Sequence, residues 1–460
     1  MVEGGLTINA GPALTLQPGT VVKFKDTGSY LTVNGALVAD GTAESPIVFT
    51  SLRDDAYGGD TDNDDGITWP APGDWQRIYF ADSSDDSRTI LRYAIVRYGG
   101  NYYNQSVVAD SAAPRIISST IAYGNGHGLY LTSQANPLVE GNAFLQNSGS
   151  GLYITNSSAP TVRNNLFRRN KAYAAEMTAE SKPRFSGNSA EDNATNGVKV
   201  TGTVAGATTW DANLTYVAGS VTIPSGASLT LSPGAVVKFL SGANWTVNGP
   251  LVAEGTEAAP IVLTSLKDDT YGGDTNNDGA ASSPAAGDWG GLTIGSTASA
   301  SRFRHAVIRY GGDPTVKVAS SALTVTDSVL DYNKRALWYE NSTGVITATK
   351  FLSNTEYALY ETGSGLTVQG NEFRWNQRGI YLRSATTGHM AISGNVFEDN
   401  RGSALWTDLA GMLLLDGTNT FVNNVGNAVW LEGGTLSQNA ILYSGTVYRL
   451  TTVIVETGFS

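Results

Sequence analysis

The feature that most constrains the fold is a short motif that recurs along the chain: Gly-Asn-x-Phe, a second Asn and an alternating apolar segment. Its first Asn lies at Asn142, Asn165 and Asn188, and again at Asn371, Asn395 and Asn419, with equal spacing inside each series. Apolar residues alternate within each motif, as in Leu129-Tyr130-Leu131, which is the periodicity of a β-strand. Short strands separated by turns at this period predict the coils of a parallel β-solenoid, in which each coil buries its inward side chains against its neighbours.

The second Asn of the motif predicts a ladder of side-chain hydrogen bonds. It recurs at one turn of the coil, at Asn125, Asn147, Asn170 and Asn193 and, after Asn333, at Asn354, Asn376, Asn400 and Asn424. Asn tolerates positive φ, and its amide hydrogen-bonds readily to nearby backbone. We therefore expect these residues to bond to their equivalents in adjacent coils.

The chain is also a tandem duplication. The segment from Leu14 to Gly100 repeats from Leu229 to Gly312, and both copies contain LTLxPGxVVKF, an acidic segment and a Gly-Asp-Trp motif. This repeat predicts two blocks, residues 1–228 and 229–460, within one continuous solenoid.

At this point the sequence resembles a known family. The coil GNEFRWNQRGIYL, residues 370–382, resembles the right-handed parallel β-helix repeat of pectate-lyase-like proteins. The LTLxPGxVVKF and GDWxxI…IxYGG segments are similar to the opening coils of many large secreted bacterial β-helix surface proteins. The resemblance implies a right-handed β-helix in a secreted or cell-surface protein. It does not imply one activity, because that superfamily includes lyases, hydrolases, epimerases and adhesins.

Composition excludes several classes of function. A formal charge of −12 and a pI near 4.8 argue against a nucleic-acid partner, because no basic surplus exists to neutralise phosphates. The absence of cysteine excludes a disulfide scaffold and cysteine-based metal sites, and the three histidines lie far apart in the sequence. No apolar run reaches the roughly 18 residues of a membrane span, and no signal segment precedes the first repeat.

Two acidic segments, one in each block, carry the alternating oxygen ligands that open a calcium loop. The candidate ligands are Asp60, Asp62, Asp64, Asp274, Asn276 and Asp278. Neither copy has a glutamate at the twelfth loop position, so a closing carboxylate must come from Asp54, Asp55, Asp74, Asp268, Asp269 or Asp288. We predict bound Ca²⁺ that holds a long loop in place; the alternative is a solvated Asp/Asn/Gly loop.

Aromatic residues form a second candidate site. In each coil an apolar residue directly precedes an aromatic one. If the apolar residue faces inward, the aromatic residue faces solvent, which applies to Tyr130, Tyr153, Trp338, Tyr360, Tyr381, Trp406 and Trp430. With coils about 4.8 Å apart, the last five make a stripe of roughly 19 Å, on which sugar rings stack well. Two alternatives stay open, namely that the rings stack on one another or that they pack against another protein.

The sequence contains no convincing catalytic group. Carboxylates in the coils fall in turns without acidic neighbours one coil away, whereas a glycosidase needs a close pair. We therefore predict an extracellular structural or adhesive element, such as a stalk, fibre or surface-array segment. Residues 453–460 match residues 6–13 and 221–228, which indicates either a segment of a longer tandem array or head-to-tail stacking of copies. The alternative is a polysaccharide-binding or polysaccharide-degrading enzyme, either a lyase or a glycoside hydrolase.

Overall fold

The structure is a computed structural model that describes residues 1–383, 391–412, 415–436 and 439–458. The chain forms two compact units. The first comprises Met1–Gly202, Asp211–Tyr216 and Asp274–Gly279, and the second comprises Thr203–Trp210, Val217–Gly273 and Ala280–Ser460. Among the described residues, no helix combines the length and apolar character needed to cross a membrane.

In the first unit each coil contributes strands to three rows of parallel, hydrogen-bonded strands. Row 1 contains Gly5–Ile8, Tyr30–Val33, Ile78–Phe80, Gln105–Asp110, His127–Thr132, Leu152–Ile154, Tyr173–Thr178 and Thr195–Thr203. Row 2 contains Ala13–Leu16, Ala36–Asp40, Ile90–Arg92, Arg115–Ile117, Leu138–Glu140, Thr161–Arg163 and Arg184–Ser186. Row 3 contains Val21–Phe24, Ile47–Ser51, Ala94–Arg97, Thr120–Ala122, Ala143–Leu145, Leu166–Arg168 and Ser189–Glu191.

The second unit repeats this arrangement. Row 4 contains Tyr216–Ile223, Asn244–Val247, Gly291–Ile294, Val316–Ala319, Leu337–Glu340, Tyr357–Thr362, Arg378–Arg383, Ser403–Thr407, Gly426–Leu431 and Tyr448–Leu450. Row 5 contains Ala207–Trp210, Ser228–Leu231, Leu251–Glu254, Ser301–Arg304, Ala322–Thr326, Thr343–Thr347, Gly365–Gln369 and Ala391–Ser393. Row 6 contains Val236–Phe239, Ile261–Ser265, Ala306–Arg309, Val329–Asp331, Lys350–Leu352, Glu372–Arg374, Val396–Glu398 and Thr420–Val422. One further pair, Gly434–Leu436 and Val453–Val455, and a short helix, Leu409–Met412, complete the described elements.

The predicted fold class, an all-β parallel solenoid, is confirmed. The strand pairs in these rows are parallel, and equivalent residues of successive coils lie side by side. Inward positions are fully buried, and phenylalanines stack along the interior, with Phe351 and Phe373 4.7 Å apart and Phe373 and Phe397 4.9 Å apart. Each coil therefore gains its core from the coils on either side, as the period of the sequence requires.

Asparagine side chains connect the coils at the turns. The Asn376 amide group is fully buried, donates to Asn400 Oδ1 at 3.1 Å and to the Phe351 carbonyl at 2.9 Å, and accepts from Asn354 at 2.8 Å. The same pattern joins Asn147, Asn170, Asn193 and, in the second unit, Asn354, Asn376, Asn400 and Asn424. A parallel series joins Asn142 to Asn165 and Asn371 to Asn395.

Asn125 departs from the expected ladder. The ladder position in its coil belongs to Gly124, whose N–H donates to Asn147 Oδ1 at 3.0 Å. Asn125 is the next residue and is exposed. The turn reads Gly-Asn-Gly, so the Asn sits one residue beyond the buried position.

Candidate functional site

The acidic segment of the first block, between strands Ile47–Ser51 and Ile78–Phe80, is held by buried contacts at its base. Trp75 of the Gly-Asp-Trp motif is fully buried and stacks on Phe24, with ring centroids 4.0 Å apart. The neighbouring Asp74 accepts hydrogen bonds from Ser51 Oγ at 2.7 Å and Arg53 Nη1 at 3.1 Å. Lys23, itself buried, donates to the Gly59 carbonyl at 2.6 Å. These contacts explain why the motif accompanies the acidic segment in the sequence.

Three carboxylates of this segment converge. Asp55, Asp60 and Asp64, which we name the acidic trio, each place one oxygen within 4.8 Å of the others. Two glycines with positive φ, Gly58 and Gly59, reverse the chain between Asp55 and Asp60 and allow this approach. The trio includes two of the predicted ligands, and Asp55 was among the candidates for the closing carboxylate. Asp62 lies outside the trio, with Oδ2 3.5 Å from Thr68 Oγ1.

The pKa values of the three carboxylates are shifted in different directions. Burial favours protonation of Asp60, yet N–H donors from Asp65 and Asp64 hold its pKa below the ordinary value. The hydroxyl of Thr68 holds the pKa of Asp64 below the ordinary value, although burial opposes it. Burial, reinforced by the charges of Asp60 and Asp62, instead raises the pKa of Asp55.

One carboxylate oxygen of the trio lacks a hydrogen-bond donor among the described residues. Asp55 Oδ1 is buried and accepts no hydrogen bond from any residue in the part of the chain that the structure describes. A buried carboxylate oxygen without a donor costs free energy, and a cation would relieve that cost. Because every group offered is an oxygen, the set suits a hard cation such as Ca²⁺ or Mg²⁺. These acidic groups could hold a metal ion.

The acidic segment of the second block forms the same turn. Asp274 accepts the Asp278 N–H at 3.1 Å and the Gly279 N–H at 2.8 Å, as Asp60 accepts those of the residues four and five positions on. Asn276 donates from Nδ2 to Asp278 Oδ2 at 2.8 Å. The predicted ligands of both blocks therefore lie in equivalent turns.

In the second unit, the outward aromatic residues lie side by side along row 4. Trp338, Tyr360, Tyr381, Trp406 and Trp430, which we name the aromatic stripe, occupy matching positions in successive strands. Tyr360 and Tyr381 are 4.5 Å apart and 2° from parallel, and Tyr381 and Trp406 are 4.3 Å apart and 5° from parallel. Trp338 instead meets Tyr360 edge to face at 5.7 Å. The central rings therefore cover one another's faces.

The first unit has only a short counterpart. Tyr130 and Tyr153 are 5.4 Å apart with their planes tilted by 43°. Glu176 and Lys199 occupy the next two positions and form an ion pair of 3.1 Å. A charged pair thus replaces the aromatic rings at the end of row 1.

Cations lie beside the aromatic stripe. Lys317 Nζ is 4.2 Å from the centre of the Trp338 ring, and the Arg335 guanidinium is 4.5 Å from that of Tyr360. Lys317 also pairs with Glu340 at 2.9 Å, and Arg335 pairs with Asp313 at 3.1 Å. The stripe is therefore a mixed surface of rings and compensated charges.

A buried carboxyl group close to the stripe was not predicted. Glu361 follows the outward Tyr360 and therefore points inward, where it is fully buried. Burial raises its pKa to about 7, although the N–H groups of Ser364 and Arg383 donate to it. The strict alternation of the strand was the signal that could have identified it.

Comparisons with known proteins support the architecture. A family model described as "Right handed beta helix region" matches residues 76–213, and one described as "Periplasmic copper-binding protein (NosD)" matches residues 293–452. A search of curated proteins found no match.

Among solved structures, the chain is similar to a PL6 family alginate lyase, AlyGC. That alignment has 10% sequence identity, covers 98% of this chain and 100% of that chain, and has a TM-score of 0.14. A mutant of the same enzyme aligns at the same identity and coverage with a TM-score of 0.15. Scores this low carry no weight for function. The two family models and the stacked parallel coils together identify the chain as a right-handed β-helix repeat protein.

Proposed function

We propose that this β-helix is an extracellular structural or adhesive element, such as a stalk, fibre or surface-array segment. The observation that carries the proposal is the face-to-face stacking of Tyr360, Tyr381 and Trp406 at 4.3–4.5 Å. A sugar that binds by stacking needs an open ring face, and these separations leave no room for a second ring between them. The stripe is therefore better suited to joining coils than to holding a ligand.

The turns support the same proposal. Ladder residues such as Asn376 and Asn400 use their amide groups entirely on neighbouring coils. Buried, fully satisfied polar networks of this kind rigidify a structure. The description of the second matching family as periplasmic is compatible with a location outside the cytoplasm.

The metal that we propose is Ca²⁺, bound by the acidic trio with Asp55 as the closing ligand. The family description that mentions copper concerns residues 293–452, and the trio lies outside that range. Copper prefers imidazole and sulfur ligands, whereas the acidic trio offers only carboxylate oxygens. The segment matched by the copper-binding family contains two histidines, two methionines and no cysteine. An all-oxygen site in a loop instead serves to hold the loop in place.

The partner that we propose is a second copy of the chain, stacked head to tail. Apolar residues are exposed in the last coils, with Val447 65%, Ile454 58% and Val455 52% exposed. The strand Val453–Val455 resembles in sequence the strand that opens each block. We therefore propose that the first coil of a second copy stacks on this strand. Solution mass as a function of concentration tests this pairing.

A second candidate function is binding or cleavage of a polysaccharide. The observation that favours it is the placement of Lys317 and Arg335 over rings of the aromatic stripe. Cations beside aromatic rings suit an acidic glycan, whose carboxylates and ring faces need both kinds of contact.

One experiment separates the two functions. The purified chain is incubated with a panel of neutral and acidic polysaccharides, and released reducing ends and unsaturated ends are measured alongside binding. A structural element releases no product, and any weak binding is unaffected by Trp338→Ala. Product release, or binding that Trp338→Ala abolishes while Tyr102→Ala does not, would replace the structural proposal with the polysaccharide one.

A further inference from the structure

A cavity on the outward face of row 1 is built around Arg77, which has no acidic partner among the described residues. It measures about 520 Å³, within the range of about 300–1,000 Å³ typical of small-molecule sites. Its lining residues are Tyr30, Thr32, Gln76, Arg77, Tyr79 and Tyr103.

The strand pairing explains how these side chains meet. Thr32 pairs with Tyr79, which places Tyr30 beside Arg77 on the same outward face. Tyr103 comes from the following turn and lies over Arg77, with its ring centre 3.8 Å from the guanidinium carbon. The ring centre of Tyr79 lies 4.8 Å from the same carbon. Two rings therefore contact the cation before any ligand arrives.

Arg77 lacks, among the described residues, the carboxylate partner that Arg97 and Arg309 have. Its guanidinium donates no hydrogen bond and forms no ion pair with any residue that the structure describes, whereas Arg97 pairs with Asp54 and Arg309 with Asp331. The nearby Asp110 is already bound to the Tyr79 hydroxyl at 2.7 Å. Burial lowers the pKa of Arg77, because its charge has lost part of its water shell. No described residue accepts a hydrogen bond from its five donors, so they remain available to a ligand in the cavity.

The duplicated block shows that the fold does not require these residues. Gln76 and Arg77 correspond to Gly290 and Gly291, and Gly291 forms the same strand pairing with Asn244 in the second unit. The turn that carries Tyr103 is shorter in the second block, where fewer residues separate Tyr310 from Val316 than separate Tyr98 from Val107. The cation and its rings are thus additions to a scaffold that is complete without them.

We propose that this cavity binds a small carboxylate-bearing ring compound, with the carboxylate on Arg77 and the ring against Tyr30 and Tyr103. The planar guanidinium fork matches a carboxylate in geometry. One cation in a chain of net charge −12 balances a monoanion, whereas a phosphate dianion would remain partly uncompensated. Tyrosine rings and the hydroxyl of Thr32 accommodate either a sugar acid or an aromatic acid. This site is independent of the proposed structural role.

Calorimetric titration of the full chain tests the site with two matched pairs of probes. Glucuronate is compared with glucose, and benzoate with benzyl alcohol, so that each acid has a neutral counterpart. We expect at least one acid to bind at least tenfold more tightly than its counterpart, and which acid binds identifies the ring. Arg77→Gln should weaken that binding at least tenfold, and Tyr103→Ala should weaken it severalfold.

Two further variants show whether a loss of binding is specific to the site or reflects misfolding. Gln76→Gly/Arg77→Gly copies the second block and should fold, as judged by far-ultraviolet circular dichroism, yet not bind the acid. Arg92→Gln removes an arginine that already pairs with Asp40 and should bind normally. The proposal is overturned if neither acid binds better than its neutral counterpart, or if both variants at Arg77 bind as the unmodified chain does.

Discussion

The ring of Tyr360 lies 4.5 Å from that of Tyr381, with the two planes 2° from parallel, at directly paired positions of adjacent strands. Tyr381 makes a second such contact with Trp406 at 4.3 Å. Outward residues of a β-helix are free to serve ligands, but here they join coil to coil. This relationship supports the proposal of a structural surface over that of a binding groove.

Tyr381→Ala should destabilise the protein by about 1–3 kcal/mol, because it removes two stacked contacts worth about 0.5–1.5 kcal/mol each. The midpoint of chemical denaturation measures the change. Tyr102→Ala removes a tyrosine that is 73% exposed and should change stability by less than about 0.5 kcal/mol. Equal shifts for the two variants would show that the stack contributes little energy.

Asn376→Ala should be among the most damaging single changes. It removes four buried hydrogen bonds of the side chain, so that the Phe351 carbonyl and the backbone N–H and amide group of Asn354 lose these partners. At about 1–3 kcal/mol for each unsatisfied group, the loss should be roughly 3 kcal/mol or more. Asn125→Ala is the matched control, since Asn125 is exposed, and should have little effect on the denaturation midpoint. A small loss for Asn376→Ala would contradict the ladder's structural role.

Calcium should raise the thermal unfolding temperature, because a ligand that binds only the folded state stabilises it, by about 2.7 kcal/mol at 100 times Kd. Asp55→Asn should reduce the shift by removing the closing carboxylate of the acidic trio. Asp65→Asn makes the same charge change one residue after Asp64 and should preserve the shift, because Asp65 contributes its N–H to Asp60. A shift that Asp55→Asn leaves undiminished would show that the acidic trio does not bind the ion.

Stability should fall as pH rises from about 4.5 to about 7, because Glu361 has a folded pKa of about 7 and an ordinary value of 4.5. A carboxyl group with a raised folded pKa stabilises the fold fully below its unfolded pKa, and that contribution is lost by the time the folded group ionises. The shift corresponds to at most about 3 kcal/mol. Denaturation midpoints at pH 5 and pH 8 measure it, and Glu361→Gln should reduce the difference. An equal pH dependence in the variant would assign it to other groups, such as Asp408.

Periodicity was enough to predict the fold and the orientation of the strands. Leu359 is fully buried and Tyr360 points outward, as alternation requires. The ladder was harder to place at Asn125, because a Gly-Asn-Gly turn shifts the residue by one position while the sequence spacing stays almost the same. A count of residues cannot detect a shift that local turn geometry produces.

The candidate sites depended on contacts that spacing does not encode. Asp55 joins Asp60 and Asp64 only because two glycines between Asp55 and Asp60 reverse the chain. Arg77 and Tyr103 come from successive coils and meet because those coils stack. The residues of the aromatic stripe lie at paired positions of successive strands, but the ring angles that bear on stacking against ligand binding follow from side-chain packing.

Sedimentation velocity over a range of concentrations tests the central claim most directly, namely that this β-helix is a structural element that stacks on copies of itself. The average mass should rise with concentration for the unmodified chain. Ile454→Asp, in the exposed last strand, should remain monomeric, whereas Val345→Asp, in the strand Thr343–Thr347, should associate normally. A monomer at every concentration, or equal association of both variants, would contradict the claim.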